Sequence, residues 1–365
     1  MEPIRKKFEN MLRTSAWYVD YAIYKALCPF KRKINLNKIN RILIIENLYI
    51  GDLIVITPTI RALRKRFPKA NISLLGVDTM KDVLSGNPNL NEIITFSEKQ
   101  FIENPELIVE RLKNKFDLAV LLHPNPLIGS YKISKILLKS KIPYRIGCTK
   151  VGFFEGKGFF LTKKTKPTRE LKHKIDDNLD VIKTLGITTN DKHLELYTNK
   201  KGKIKNAIVL HAVPRHKTHG WSDAKFAELA DRLIKKYKVP VVFSGSKNDA
   251  IKNKKIISLM KHKAINLPTN IKDFFALIKE SKFVVSVDTS AMHVAAAFNK
   301  PIIALFGAGD PRIWSPYCKK SVVLYKNKVC TSCMKHKCFR KGKRFMECMK
   351  AISVEDVLNA VKSSK

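Results

Sequence analysis

The sequence predicts an α/β protein of two Rossmann-like, doubly wound domains facing each other across an interdomain cleft. Three observations carry this. Apolar runs of four to six residues, continuous rather than alternating, recur in both halves with amphipathic segments between them, as expected of parallel strands covered on both faces. The 365 residues, 45% of them hydrophobic, suffice for two ordinary cores. The residues able to do chemistry stand just after the apolar runs, where open parallel sheets bind ligands.

Taken in order, residues 1–38 are a basic amphipathic segment. Nine Lys or Arg stand against three acids in the first forty residues, interleaved with Phe8, Trp17, Tyr18, Tyr21 and Tyr24. The pattern fits an interfacial helix on anionic lipid, a helix packed on the protein, or an arm. The first domain, 39–197, is predicted to open with a strand at Arg41–Glu46 and a single helix from Asp52 through Phe67. Further strands are predicted at Ile72–Leu75, Ile93–Phe96 and Leu118–Leu122. From Gly147 to Thr168 the periodicity fails, and Gly and Lys accumulate in what reads as a functional loop. A polar linker at Leu196–Lys205 leads to the second domain, 198–365. Its strands are predicted at Ala207–Leu210, Val239–Ser244, Phe283–Val287 and Ile302–Phe306. A cysteine-rich segment, 330–348, precedes a terminal helix at Ser353–Val361 that is expected to pack back across the domain boundary.

The run Ser286-Val-Asp-Thr-Ser-Ala-Met-His-Val-Ala-Ala-Ala-Phe-Asn-Lys-Pro-Ile302 carries the most chemistry. A buried strand ends in Asp288-Thr289, a pair read as capping a short Ala-rich helix. The first amides of a helix lack partners and its dipole is positive there, so an anion beside Thr289 and Ser290 is stabilised twice. His293, one turn on, either meets the same ligand or serves core polar groups. Asp249 follows the turn Gly245-Ser246 and reads as a partner for ribose hydroxyls or a helix cap. Asp52 opens a helix, where it reads as a capping carboxylate. His123 follows the strand ending at Leu122 as an acceptor-side candidate or a loop histidine. Trp221 and Trp314 read as packing residues.

Five blocks in fixed order then resemble glycosyltransferase family 9, the ADP-heptose:lipopolysaccharide heptosyltransferases. They are Glu46–Asp52, His211–Trp221, Phe243–Asp249, Ser286–Ile302 and Phe306–Pro311. The resemblance covers roughly residues 40 to 362 and implies the GT-B architecture. It also implies that Asp52 is the catalytic base and that Lys217 contacts the donor phosphates, with Arg215 as its substitute. Arg215, Ser246, Asp249, Asp288, Thr289, Ser290 and His293 then form the donor side, and Gly51, His123 and Lys157 the acceptor side. Two departures bear on the donor. Ser290 stands where many members have Gly, and Val213-Pro214 replace residues that could offer hydroxyl or amide donors. The resemblance implies an inverting transfer, and because the sequence contains no Asp-x-Asp the transfer is expected to need no metal cofactor. Expected partners are ADP-heptose or another nucleotide sugar, a phosphorylated lipopolysaccharide core, and the anionic inner-membrane surface from its cytoplasmic side.

A formal charge of +39 points to polyanionic partners without choosing among them. Nucleic acid is not favoured, because no aromatic RNA-binding signature or helix-turn-helix pattern is present. Seven cysteines do not make a secreted disulfide scaffold. Cys330, Cys333, Cys338 and Cys348 have a spacing compatible with structural zinc or with unligated thiols, and are expected to serve stability rather than catalysis. No run is long and apolar enough to span a bilayer, and no signal peptide is apparent, so a cytoplasmic location is expected.

Overall fold

The computed structural model describes residues 34–46, 49–123, 130–148, 160–166, 170–326, 330 and 332–363. Lys157 and most of the basic amphipathic segment lie outside them. The first half contains β1 (Arg41–Glu46), α1 (Ile50–Val55), α2 (Thr57–Arg66), β2 (Asn71–Val77), β3 (Glu92–Phe96), α3 (Glu98–Glu103), α4 (Pro105–Leu112), β4 (Leu118–His123), α5 (Ser130–Lys139), β5 (Tyr144–Gly147), β6 (Lys163–Lys164) and α6 (Lys174–Lys183). The second contains β7 (Ile208–His211), α7 (Asp223–Tyr237), β8 (Val241–Gly245), α8 (Asp249–Ile257), β9 (Ile265–Pro268), α9 (Ile271–Lys279), β10 (Phe283–Val287), α10 (Ser290–Ala297), β11 (Ile302–Phe306), α11 (Pro311–Trp314), β12 (Ser321–Tyr325), α12 (Glu347–Lys350) and α13 (Val354–Ser363).

Each half builds one six-stranded sheet, ordered β3-β2-β1-β4-β5-β6 and β12-β11-β10-β7-β8-β9. Renumbered from its own first strand, the second order is the first read backwards, so both halves share the doubly wound plan. Among the described residues all strand pairings are parallel. The strand order reverses between β1 and β4 and between β7 and β10, the two positions where such sheets leave a crevice at their carboxyl ends.

The helix predicted from Asp52 through Phe67 is two helices. An amide at position 58 would bond the Ile54 carbonyl, but Pro58 has no N–H. The Thr57 hydroxyl donates to that carbonyl instead, at 2.8 Å, and the chain re-enters helix at Thr57. Because α1 begins at Ile50, Asp52 lies inside its first turn and accepts from the Tyr49 amide at 3.3 Å. The expected loop between Gly147 and Thr168 contains β6, a two-residue edge strand. Arg145 anchors its approach, donating from Nε to the Phe160 carbonyl at 2.6 Å while its amide donates to Thr162 Oγ1 at 2.9 Å. Exposed lysines on an edge strand oppose further pairing. The terminal helix does not cross back. The apolar face of α13 (Val354, Val357, Leu358, Val361) is buried against α7, β11 and β12, all within the second half.

Residues 187–206 have no helix or strand. Their beginning is tied to α2, where Arg61 meets Asp191 at 2.8 Å and Glu195 at 3.0 Å. Their end is tied to α9 and the turn after it, through Lys200–Asp273 at 2.6 Å and Gly202 N to Glu280 at 2.8 Å. The halves meet directly where α1 packs on α10. A Cβ on Gly51 would stand 3.2 Å from His293 Cδ2, so glycine lets the two helices approach. Among the described residues no helix is long and apolar enough to cross a membrane.

Candidate active site

A cavity of about 610 Å³ lies between the two crevices. The first half contributes residues 49–52 and Met80. The second contributes the loop after β7, Asp249, the start of α10, Gly309, Trp314 and part of the cysteine-rich segment.

Asp52 is the acid that the first half brings to this cavity and is only 7% exposed. Burial raises its pKa; the Lys174 ammonium, the amides of Tyr49 and Asp52, and then Arg215 oppose that rise. A carboxylate so placed is a stronger proton acceptor than one in water.

Facing it is the amino end of α10. Thr289 caps the helix by accepting from the Ala291 amide at 3.3 Å, and its hydroxyl lies 3.0 Å from Ser286 Oγ. Asp288 is not the second half of the cap. It turns to His219, whose Nδ1 lies 3.0 Å from Asp288 Oδ2. A Cβ at position 309 would overlap that carboxylate, which is why the turn after β11 needs Gly309. His293 is 2% exposed, and its Nδ1 makes no hydrogen bond among the described residues. Burial pushes its pKa down to about 3, and His211 down to about 4. Both imidazoles are therefore neutral at neutral pH.

Arg215 and Lys217 separate. Arg215 lines the cavity and lies over the Tyr49 ring, 3.2 Å from its centroid, bridging the halves. Lys217, the residue expected on phosphate, lies outside this lining. The short 3-10 turn Lys217–His219 places it in an adjoining groove with Lys252 and Lys350. Ser246 lies outside the lining as well. Its amide and hydroxyl donate to Asp249 Oδ2 at 2.7 and 2.8 Å, so Asp249 shapes its own turn while reaching the cavity edge. Gly51 lines the cavity at the α1–α10 contact. His123 ends β4 opposite Glu46, and its side chain lies outside the described residues.

Several cavity residues escaped sequence reading. Trp314, expected only to pack, forms a wall 6.3 Å from the His293 ring. Trp221 does pack in the second core, its Nε1 donating to the Ile352 carbonyl at 3.0 Å. The cysteine-rich segment reaches the cavity through Met334 and His336. The His336 ring stacks on His216 with centroids 3.8 Å apart, and Thr218 donates to the Lys335 carbonyl at 2.9 Å. Cys330, Cys333, Cys338 and Cys348 are free thiols, and burial pushes the Cys348 thiol up to about 11. No three His, Cys, Asp or Glu side chains among the described residues are placed to hold a metal ion. Lys174 had a readable signal. It sits with Ile175, Asn178, Val181 and Ile182 on the buried face of α6, where a lysine is out of pattern.

Residues 108–343 match the family described as Glycosyltransferase family 9 (heptosyltransferase). Lipopolysaccharide heptosyltransferase 3 of Escherichia coli K12 is 25% identical over 334 residues, covering 86% of this chain and 94% of the relative. Lipooligosaccharide heptosyltransferase 2 of Haemophilus ducreyi is 25% identical over 321 residues, covering 78% and 88%. Among solved structures, a family 9 glycosyl transferase from Veillonella parvula aligns with a TM-score of 0.75 at 22% identity, covering 89% of this chain and 97% of that one. The E. coli ADP-heptose lipopolysaccharide heptosyltransferase II aligns at 0.71 and 21% identity, covering 89% and 98%.

Proposed function

This chain belongs to glycosyltransferase family 9 and is a glycosyltransferase of the GT-B fold, and from that premise we propose that it moves heptose from ADP-heptose to a phosphorylated lipopolysaccharide inner core, with inversion and without a metal. One observation carries the reading: the buried Asp52 faces the amide end of α10 and Arg215 across a single cavity. A sugar nucleotide seated there has its diphosphate at the cationic side and its anomeric carbon toward Asp52.

In the transfer, an acceptor hydroxyl attacks the anomeric carbon from the face opposite the diphosphate. Asp52 takes the hydroxyl proton as the new C–O bond forms. The old bond breaks with its electron pair on the diphosphate oxygen, where the Thr289–Ser290 amide end and Arg215 stabilise the charge. Lys217 is a second cation beside this path, and neutral His293 lies within the cavity wall. Asp249 serves the nucleoside end. The first half, 39–197, presents the acceptor, with His123 and Lys157 on its side, and the second half, 198–365, holds the donor. The basic segment 1–38 holds the enzyme at the cytoplasmic face of the inner membrane.

Transfer is measured with ADP-heptose and with UDP-, GDP- and CMP-sugars, each with and without EDTA. Turnover with ADP-heptose alone, unchanged by EDTA, is expected. Preference for another nucleotide sugar would move the reading to a different surface glycan. Inhibition by the chelator would place a metal in the transfer step.

A further inference from the structure

We propose that Lys174 is a positioning residue for the base: buried at the first turn of α6 beside Asp52 and Glu46, it holds the Asp52 side chain as a carboxylate at the cavity wall. This rests on the assignment of Asp52 as proton acceptor.

Lys174 is 4% exposed, and lysines are almost never so buried without anionic partners. Its place disfavours a cation twice, because desolvation acts against the ammonium and a helix amino end is itself positive. Three carboxylates oppose those penalties: Glu46 at the end of β1, Asp52 in α1, and Asp177 in the first turn of α6. The mount is rigid. His173 caps α6, its Nδ1 accepting from the Ile175 amide at 3.2 Å, while its Nε2 donates to the Ser315 carbonyl of the other half at 2.9 Å. The Trp314 ring lies 6.0 Å from Lys174 Nζ.

The charged and titratable groups around Asp52 come from every element packed there. They are Glu46, Lys174 with Asp177 behind it, Arg215, His293 and His173. His293 and His173 are held toward neutrality by burial. Arg215 arrives from the second half and is occupied with the Tyr49 ring. Lys174 is therefore the cation carried on the same half as the base, and its effect on Asp52 is independent of how the halves close. A purely structural role, neutralising Glu46 alone, would leave Asp52 unaffected.

The test uses the full chain with 13C-carboxyl-labelled aspartate. The Asp52 resonance is identified by its loss in Asp52→Asn and followed through a pH titration. In Lys174→Met the midpoint moves upward, and in Lys174→Arg it returns. The ratio of turnover at pH 6 to turnover at pH 9 falls about tenfold in Lys174→Met and recovers in the arginine variant. Lys174→Gln serves the same purpose if the methionine variant does not fold. An unmoved Asp52 midpoint in either folded variant overturns the proposal. Full turnover in Asp52→Asn would instead overturn the base assignment, and the titration would still report on Lys174.

Discussion

The two halves share one strand order and put opposite chemistry at the equivalent place. At the β1–β4 reversal the first half buries formal charges, with Asp52 and Lys174 both below a tenth exposed. At the β7–β10 reversal the second half relies on helix amides, a buried neutral imidazole and Gly309, which leaves room for the Asp288 carboxylate, with Arg215 reaching in from a loop. The contrast teaches what each crevice is suited to. A proton acceptor gains basicity from burial, whereas a diphosphate needs preorganised donors that cost no proton rearrangement.

The sharpest break of this comparison is Asp52→Asn. Turnover is expected to fall roughly 100-fold or more with little change in donor affinity. The same variant should melt at a higher temperature. Asp52 has a raised pKa in the fold, so its contribution to stability is fully present below the unfolded carboxylate range and is lost as pH rises through the raised value. The gain should accordingly be largest at neutral pH and vanish in acid. Parallel calorimetry and kinetics check both, and a variant that lost stability at neutral pH would remove burial as the source of basicity.

Next in size is the split between two cations. Arg215→Ala should weaken donor binding about tenfold, the order expected for a charge-assisted contact. Lys217→Ala, whose side chain lies in the adjoining groove, should do so by less than about threefold. Isothermal titration with ADP-heptose decides it, and reversed magnitudes would restore Lys217 to the phosphate side.

The second half should answer acid in the opposite sense to Asp52. His293 and His211 have folded pKa values near 3 and 4 against 6.5 unfolded. Their stability is present above pH 6.5 and lost as pH falls toward those values, with a slope of up to ~1.4 kcal/mol per pH unit for each. Denaturant melts from pH 7 to pH 4.5 should show it, and His293→Gln should flatten the slope. An unchanged slope would mean that His293 is solvated in solution. The smallest expected effect is Thr289→Ala, which removes the α10 cap and should cost about 1 kcal/mol in chemical denaturation. A loss near zero would show that helix contacts, rather than the cap, hold that amide end in place.

Most of the plan was written locally. Continuous apolar runs can only be strands covered on both faces, so the strands Arg41–Glu46, Phe283–Val287 and Ile302–Phe306 were readable residue for residue. The strand β5 and the edge strands β6, β9 and β12 were not, because short strands of mixed composition form only when a neighbour offers its free backbone groups. The break before Pro58 had a local cause and was readable in principle. The anionic end of β10 was legible as Asp288-Thr289, yet only Thr289 caps, since the fold brings His219 within reach of Asp288 across 69 residues.

By itself the sequence determined the class, the doubling and the types of group that could act, because burial pattern, backbone hydrogen bonding and capping are short-range. Tertiary structure decided which groups act together. Arg215 rather than Lys217 faces Asp52 because of how one short turn leaves β7, and His336 reaches the cavity because the cysteine-rich segment docks on the turn after β11, with Met334 N donating to the Ala308 carbonyl at 2.8 Å. Lys174 and Asp52 lie 122 positions apart. Their coupling arises only because the first half folds the start of α6 beside α1, since the strength of an electrostatic interaction depends on distance and on the water excluded around it, and neither is written in the order of residues.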